Sequence, residues 1–128
     1  MKLTIKSQNE EKIIQLKSNL KFDVEKGEQY VFSNGFSNYV LSFKDNQESV
    51  VLAFTVDGKV IEVELKGIVP YLQANNESEN PTSIIINKGI EDKDIDSILT
   101  NKEFSGSEII DRLESLISSP TFSQNKTE

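Results

Sequence analysis

Val50-Val51-Leu52-Ala53-Phe54-Thr55-Val56-Asp57-Gly58-Lys59-Val60-Ile61-Glu62-Val63-Glu64-Leu65 decides the fold class of this chain. Two β-prone runs flank Asp57-Gly58. That dipeptide suits a two-residue type I′ turn, whose central positions both need positive φ. The turn fixes a register. Phe54 falls opposite Ile61, Leu52 opposite Val63 and Val50 opposite Leu65, so three apolar pairs share one face. The other face pairs Thr55 with Val60, Ala53 with Glu62 and Val51 with Glu64. A slip by one residue would turn the apolar set outward.

Short alternating runs extend the pattern on both sides. Toward the N-terminus, residues 2–6 put Leu3 and Ile5 on one face, and residues 12–16 do the same with Ile14 and Leu16. Leu20, Phe22 and Val24 alternate until Glu25-Lys26-Gly27 breaks the run. Residues 29–33 and 39–43 read as a second hairpin, either with a two-residue turn at Asn34-Gly35, pairing Phe32 with Ser37 and Glu28 with Leu41, or, burying more, with a four-residue loop at 34–37, pairing Phe32 with Tyr39 and Tyr30 with Leu41. Toward the C-terminus, Gly67 marks a bulge or bend. Residues 68–72 continue as an edge strand, because Pro70 has no N–H to give a ladder. A polar loop at 73–82 leads to a last strand at 83–87 containing Ile84, Ile85 and Ile86.

The character then changes. Ser105-Gly106-Ser107-Glu108 is a capping-box pattern, followed at helical spacing by Ile109, Leu113, Leu116 and Ile117, and Pro120 stops the helix. The expected fold is therefore mainly β: an antiparallel sandwich or barrel of about seven to nine short strands, with a C-terminal α-helical appendage. The expected organisation is a β-rich domain at 1–88, a helical appendage at 89–119 packed on or beside it, and a disordered tail or linker at 120–128.

Composition narrows the chemistry. The 128 residues carry a net charge of −7, from 21 acidic and 14 basic side chains, which argues against nucleic acid and anionic lipid as partners. There is no cysteine and no histidine, so thiol chemistry, structural zinc fingers and histidine-based acid–base catalysis are excluded together. The start has no signal-peptide pattern, and no stretch approaches a membrane span.

Residues 92–103, Asp92-Lys93-Asp94-Ile95-Asp96-Ser97-Ile98-Leu99-Thr100-Asn101-Lys102-Glu103, place carboxylates at positions 1, 3, 5 and 12 of a twelve-residue window. That spacing resembles an EF-hand loop, which wraps oxygens around Ca²⁺. Asp92, Asp94, Asp96 and Glu103 are thus candidate ligands, and calcium is the one cofactor the sequence suggests. Ser97 stands where the sharp turn of such a loop has glycine. The competing reading is an acidic helix start, capped by Asp92 or Asp94, with Ile95, Ile98 and Leu99 facing inward.

Most of the aromatic residues sit on the apolar side of alternating strands and read as core rather than as a carbohydrate-binding face. Phe36 is the exception, at a loop tip where exposure would make it a contact residue. Ile109, Leu113 and Leu116 form a helix face that either packs on the sheet or serves a partner. Glu62 and Glu64 line the polar face of the central hairpin and read as solubilising charges rather than a glycosidase pair. No set of nucleophile, base and metal ligands converges, so the expected protein is not an enzyme.

Residues 3–72 resemble the prefix domain at the N-terminus of giant, type I-secreted bacterial adhesins of the biofilm-associated class. The resemblance rests on Leu3-Thr4-Ile5, on the run from Leu20 to Val24, and on the stretch from Asn46 through Val50-Val51-Leu52, Asp57-Gly58 and Val60-Ile61-Glu62-Val63. Ile68-Val69 stands where that family often has an aromatic pair. The resemblance implies a non-catalytic anchoring module exported without an N-terminal signal, acting at the cell surface or outer membrane in biofilm attachment. The secretion channel of the outer membrane would be its protein partner. The alternative is a small acidic cytoplasmic module that binds another protein through a sheet edge or the helix face at 109–117.

Overall fold

A computed structural model describes residues 1–33, 35–73, 82–87, 110–111 and 113–115, together with the backbone path of 95–100. The described residues form nine strands and a short helix: β1 (Lys2–Lys6), β2 (Glu11–Gln15), β3 (Leu20–Asp23), β4 (Gln29–Ser33), β5 (Asn38–Lys44), β6 (Ser49–Val56), β7 (Lys59–Lys66), α1 (Ile68–Gln73), β8 (Ser83–Asn87) and β9 (Ile95–Thr100). They make two open sheets, one in the order β2-β1-β4-β8-β9 and the other β3-β7-β6-β5. The fold is mainly β, as expected, and has the build of a sandwich rather than a closed barrel.

The central hairpin is the one the sequence dictates. Asp57 and Gly58 take φ of 51° and 79°, and all six expected pairs from Val50–Leu65 to Thr55–Val60 are present. β6 lies between β5 and β7, so both of its edges are hydrogen-bonded. Val50, Leu52 and Phe54 have no exposed surface, nor do Val63 and Leu65 across from the first two. Each side chain buried to that extent contributes about 1.5–3 kcal/mol of hydrophobic free energy.

The core lies between the sheets. β1, β4 and β8 send in Leu3, Ile5, Tyr30, Phe32, Ile84 and Ile86, which meet the inner face of β5, β6 and β7. Aromatic rings bridge the layers: Phe32 lies 4.8 Å from Phe54, and Phe22 lies 6.1 Å from Tyr30.

Four expectations are corrected. The hairpin expected between residues 29–33 and 39–43 does not form. β4 pairs with β1 and β8, while β5 pairs with β6 in the other sheet. Both segments turn aromatic residues inward, so the apolar match between them is satisfied across the sandwich instead of across a ladder. Second, the sheets are not purely antiparallel, since β3 runs parallel to β7 and β4 parallel to β8. Third, 68–72 is helix rather than edge strand. Gly67 at φ 75° ends β7, Ile68, Val69 and Leu72 are buried at helical spacing, and Pro70 sits in the first turn, where its missing N–H has no intrahelical partner anyway. Fourth, residues 95–100, expected within the helical appendage or a calcium loop, form β9 against β8. Ile95, Ile98 and Thr100 are β-branched, and β8 offers a free edge, so tertiary pairing wins over local helix propensity.

Helix does form at 110–111 and 113–115, within the expected stretch. Leu113 there has no exposed surface and belongs to the same core as the strands. The remaining residues of the expected appendage and the tail at 120–128 lie outside the described residues.

Candidate functional site

The chain leaves one strand edge whose free groups can be assigned residue by residue. Among the described residues β2 is the outer strand of its sheet and pairs only with β1, Lys2 opposite Gln15 through Lys6 opposite Glu11. In an antiparallel ladder, opposed residues alternate between pairs that exchange hydrogen bonds and pairs that do not. The Leu16 N–H donates to the Met1 carbonyl at 3.0 Å, and the Ser7 N–H donates to the Glu10 carbonyl at 2.8 Å. Those two bonds set the phase. Leu3–Ile14 and Ile5–Lys12 are hydrogen-bonded pairs, and Glu11, Ile13 and Gln15 direct their N–H and C=O away from β1 into the open edge.

The side chains of β2 follow the same parity. Ile14 opposes Leu3 and packs against the core, with buried Leu16 two residues on. Ile13 falls on the outer face and is 58% exposed. Among the described residues only Val60, at 61%, is a large hydrophobic side chain so exposed, and it sits alone beside the Asp57-Gly58 turn. Ile13 is not alone. Register places Thr4, Val31 and Ile85 beside it in line across the outer face, on β1, β4 and β8. The sequence reading names Ile14 and Leu16 and passes over Ile13. The signal was the doublet Ile13-Ile14, which must put one isoleucine on each face of a strand.

Beside this edge lies a polar cleft of about 250 Å³, lined by Ile5, Ser7, Glu10, Lys12, Glu25, Lys26 and Glu28. Its floor is a closed hydrogen-bond set: Glu28 Oε1 accepts from the Tyr30 hydroxyl and from the Glu25 N–H, both at 2.8 Å. Burial, and then the Glu28 carboxylate beside it, hold the Tyr30 phenol well above its ordinary value of 10.0, so it stays a neutral donor. The Gly27 N–H donates to Thr82 Oγ1 at 2.8 Å and ties this turn to the start of β8. These contacts are structural staples.

The two carboxylates of the central hairpin differ: Glu62 is exposed, whereas the Glu64 side chain is only 12% exposed and sits between two lysines, which corrects its reading as a solubilising charge. Glu64 Oε1 accepts from Lys44 Nζ at 2.8 Å, and Oε2 lies 3.7 Å from Lys21 Nζ. The hydrogen bond to Glu64 pushes the Lys44 ammonium above its usual range. Glu62 uses its N–H, not its carboxylate, to bond Asn19 Oδ1 at 2.8 Å, closing a position on β7 beyond the reach of β3. Two lysines across strands from one glutamate form a charge ladder.

The remaining candidates separate. Phe36 is buried, 8% exposed, not a contact residue: it meets Phe54 edge-on at 5.1 Å and Tyr39 at 6.3 Å. Gly35 at φ 94° turns the chain back to place it there, and a Cβ at that glycine would stand 3.2 Å from the Met1 nitrogen. Leu113 is likewise core rather than partner surface. Ile109 and Leu116 lie outside the described residues, as do Asp92, Asp94 and Glu103. Asp96 falls in β9, at a bulge: Ile86 opposes Ser97 and Asn87 opposes Ile95, which leaves Asp96 without an opposed residue. An extended strand advances about 3.3 Å per residue, so the middle of the window does not curl as a calcium loop does. No helix among the described residues is long and apolar enough to cross a membrane.

Comparison of the chain with protein families, with curated proteins and with solved structures finds no match.

Proposed function

We propose that this chain is a non-catalytic β-sandwich module that works by contact with another protein, and that the contact is the open edge of β2. One observation carries the reading: an edge strand whose alternate residues Glu11, Ile13 and Gln15 turn N–H and C=O outward also carries an exposed isoleucine at its centre. Such an edge supports strand addition, in which backbone bonds give affinity and alternate side chains give specificity. The helix-face form of a binding module is less well supported, because Leu113 is spent in the core.

The setting we propose is an anchoring module of a secreted bacterial surface adhesin, on the resemblance of residues 3–72. A cytoplasmic binding module is the alternative, and it would use the same edge. Both are tested by a photo-crosslinking amino acid at position 13, and separately at position 60, in the organism that makes the protein. A defined adduct at 13 that is missing at 60 supports the contact. Its identity, together with antibody labelling of intact against permeabilised cells, separates surface from cytoplasm. Equal labelling at both positions, or none, would contradict the contact.

A further inference from the structure

We infer that the β2 edge pairs with the β2 edge of a second copy of this chain, in one register, about a two-fold axis at Ile13. The inference rests on the edge reading above and names its occupant.

The groups available on the edge belong to Glu11, Ile13 and Gln15, spaced evenly about Ile13. Two such strands run antiparallel under a two-fold axis, and a self-complementary patch is what a two-fold interface requires. With the axis at Ile13, Ile13 faces Ile13 of the second copy, and Glu11 faces Gln15 of the second copy. All three outward residues of each strand then exchange backbone bonds. The apolar side chains cover each other, and each carboxylate meets a side-chain amide that donates to it.

Other registers do worse. An axis at Glu11 would set Glu11 against Glu11, and an axis at Lys12 would set Lys12 against Lys12, both like-charge pairs. An axis at Ile14 would carry Glu11 past Gln15, the end of the partner's strand. The Ile13 register also makes the line Ile13, Thr4, Val31, Ile85 continuous across eight strands of two copies.

A pair of five-residue strands covers less than the roughly 1,200 Å² of a standard interface, so the pairing is of the weak, reversible class.

The absence of cysteine makes the register directly testable on the whole chain. Sedimentation of the unmodified chain should show mass rising from monomer toward dimer as concentration approaches 1 mM, a rough limit set by the interface size. Ile13→Lys should weaken that rise at least tenfold, with an unchanged fold by circular dichroism, since the side chain is 58% exposed. Under mild oxidation, Ile13→Cys should give a disulfide-linked dimer. Glu11→Cys mixed with Gln15→Cys should give the mixed dimer in preference to either self-dimer, because two copies of residue 11 stand about 13 Å apart along the strand. A chain that stays monomeric, or a Glu11→Cys self-dimer as abundant as the mixed one, overturns the inference. A monomeric chain whose position 13 still captures a different protein in cells removes the self-pairing and leaves the contact reading standing. Loss of both removes both.

Discussion

β6 and β2 are both strands of this sandwich, and they are built on opposite terms. β6 runs Ser49-Val50-Val51-Leu52-Ala53-Phe54-Thr55-Val56, apolar on both faces, and pairs on both sides. β2 runs Glu11-Lys12-Ile13-Ile14-Gln15, charged or polar at three of five positions, and pairs on one side. A strand with neighbours on both edges has no group left for another chain, so its sequence is free to be all core. An edge strand keeps charges, which blunt indiscriminate pairing. Ile13 is the departure from that rule, and departures from a protective pattern are where a specific contact is to be sought.

The largest contrast is in stability. Phe54 has no exposed surface and touches Phe32, Phe36 and Tyr39 by ring contacts of 4.8–6.1 Å. Phe54→Ala should cost about 3–5 kcal/mol, read from the urea midpoint, because it opens a cavity between the layers. A loss under about 1 kcal/mol would mean that the two sheets do not share this core.

The next effect lies at the boundary between core and edge. Tyr30 is buried, and its hydroxyl bonds Glu28. Its folded pKa is raised above the ordinary 10.0, so the stabilisation from the neutral phenol is complete below pH 10 and is lost as pH rises past that point, where the unfolded chain ionises first. Tyr30→Phe should cost about 1 kcal/mol at neutral pH through the lost hydrogen bond. The variant should also lose less stability than the unmodified chain between neutral and strongly alkaline pH. An unchanged alkaline profile would contradict the buried, neutral phenol.

The smallest effect is expected at Ile13 itself. Ile13→Lys should change the stability of the dilute monomer by no more than about 0.5 kcal/mol. A larger loss would show that Ile13 is part of the fold and not held in reserve.

The same comparison explains what could be read in the sequence. The β6–β7 register was legible because a two-residue turn with positive φ at Asp57 and Gly58 leaves one pairing that keeps Val50, Leu52 and Phe54 inward. The boundaries of β1 and β4 were legible from period-two alternation, and those of β8 from a run of three isoleucines between polar residues. Partner choice was not. The aromatic residues of β4 and β5 match equally well as cross-strand or cross-layer neighbours, and only the whole topology decides. Parallel pairing of β3 with β7 joins residues some 40 positions apart, beyond any local signal. The burial of Phe36 is not legible because a loop tip by itself suggests exposure, whereas Gly35 folds the tip back onto Tyr39 and Phe54. The role of Ile13 is not legible because alternation marks only the core face of Ile14 and Leu16, while an edge is defined by which neighbour is missing.

Amide hydrogen exchange along β2, in dilute protein, reads the open edge residue by residue. An open edge predicts alternation: the N–H groups of Lys12, Ile14 and Leu16, bonded to β1, exchange slowly, while those of Glu11, Ile13 and Gln15 exchange at nearly the rate of free chain. Those of β6 should be protected at every position from Val50 to Thr55. Uniform protection of residues 11–16 at low concentration would contradict the account, because it would mean that the edge is already occupied within a single chain.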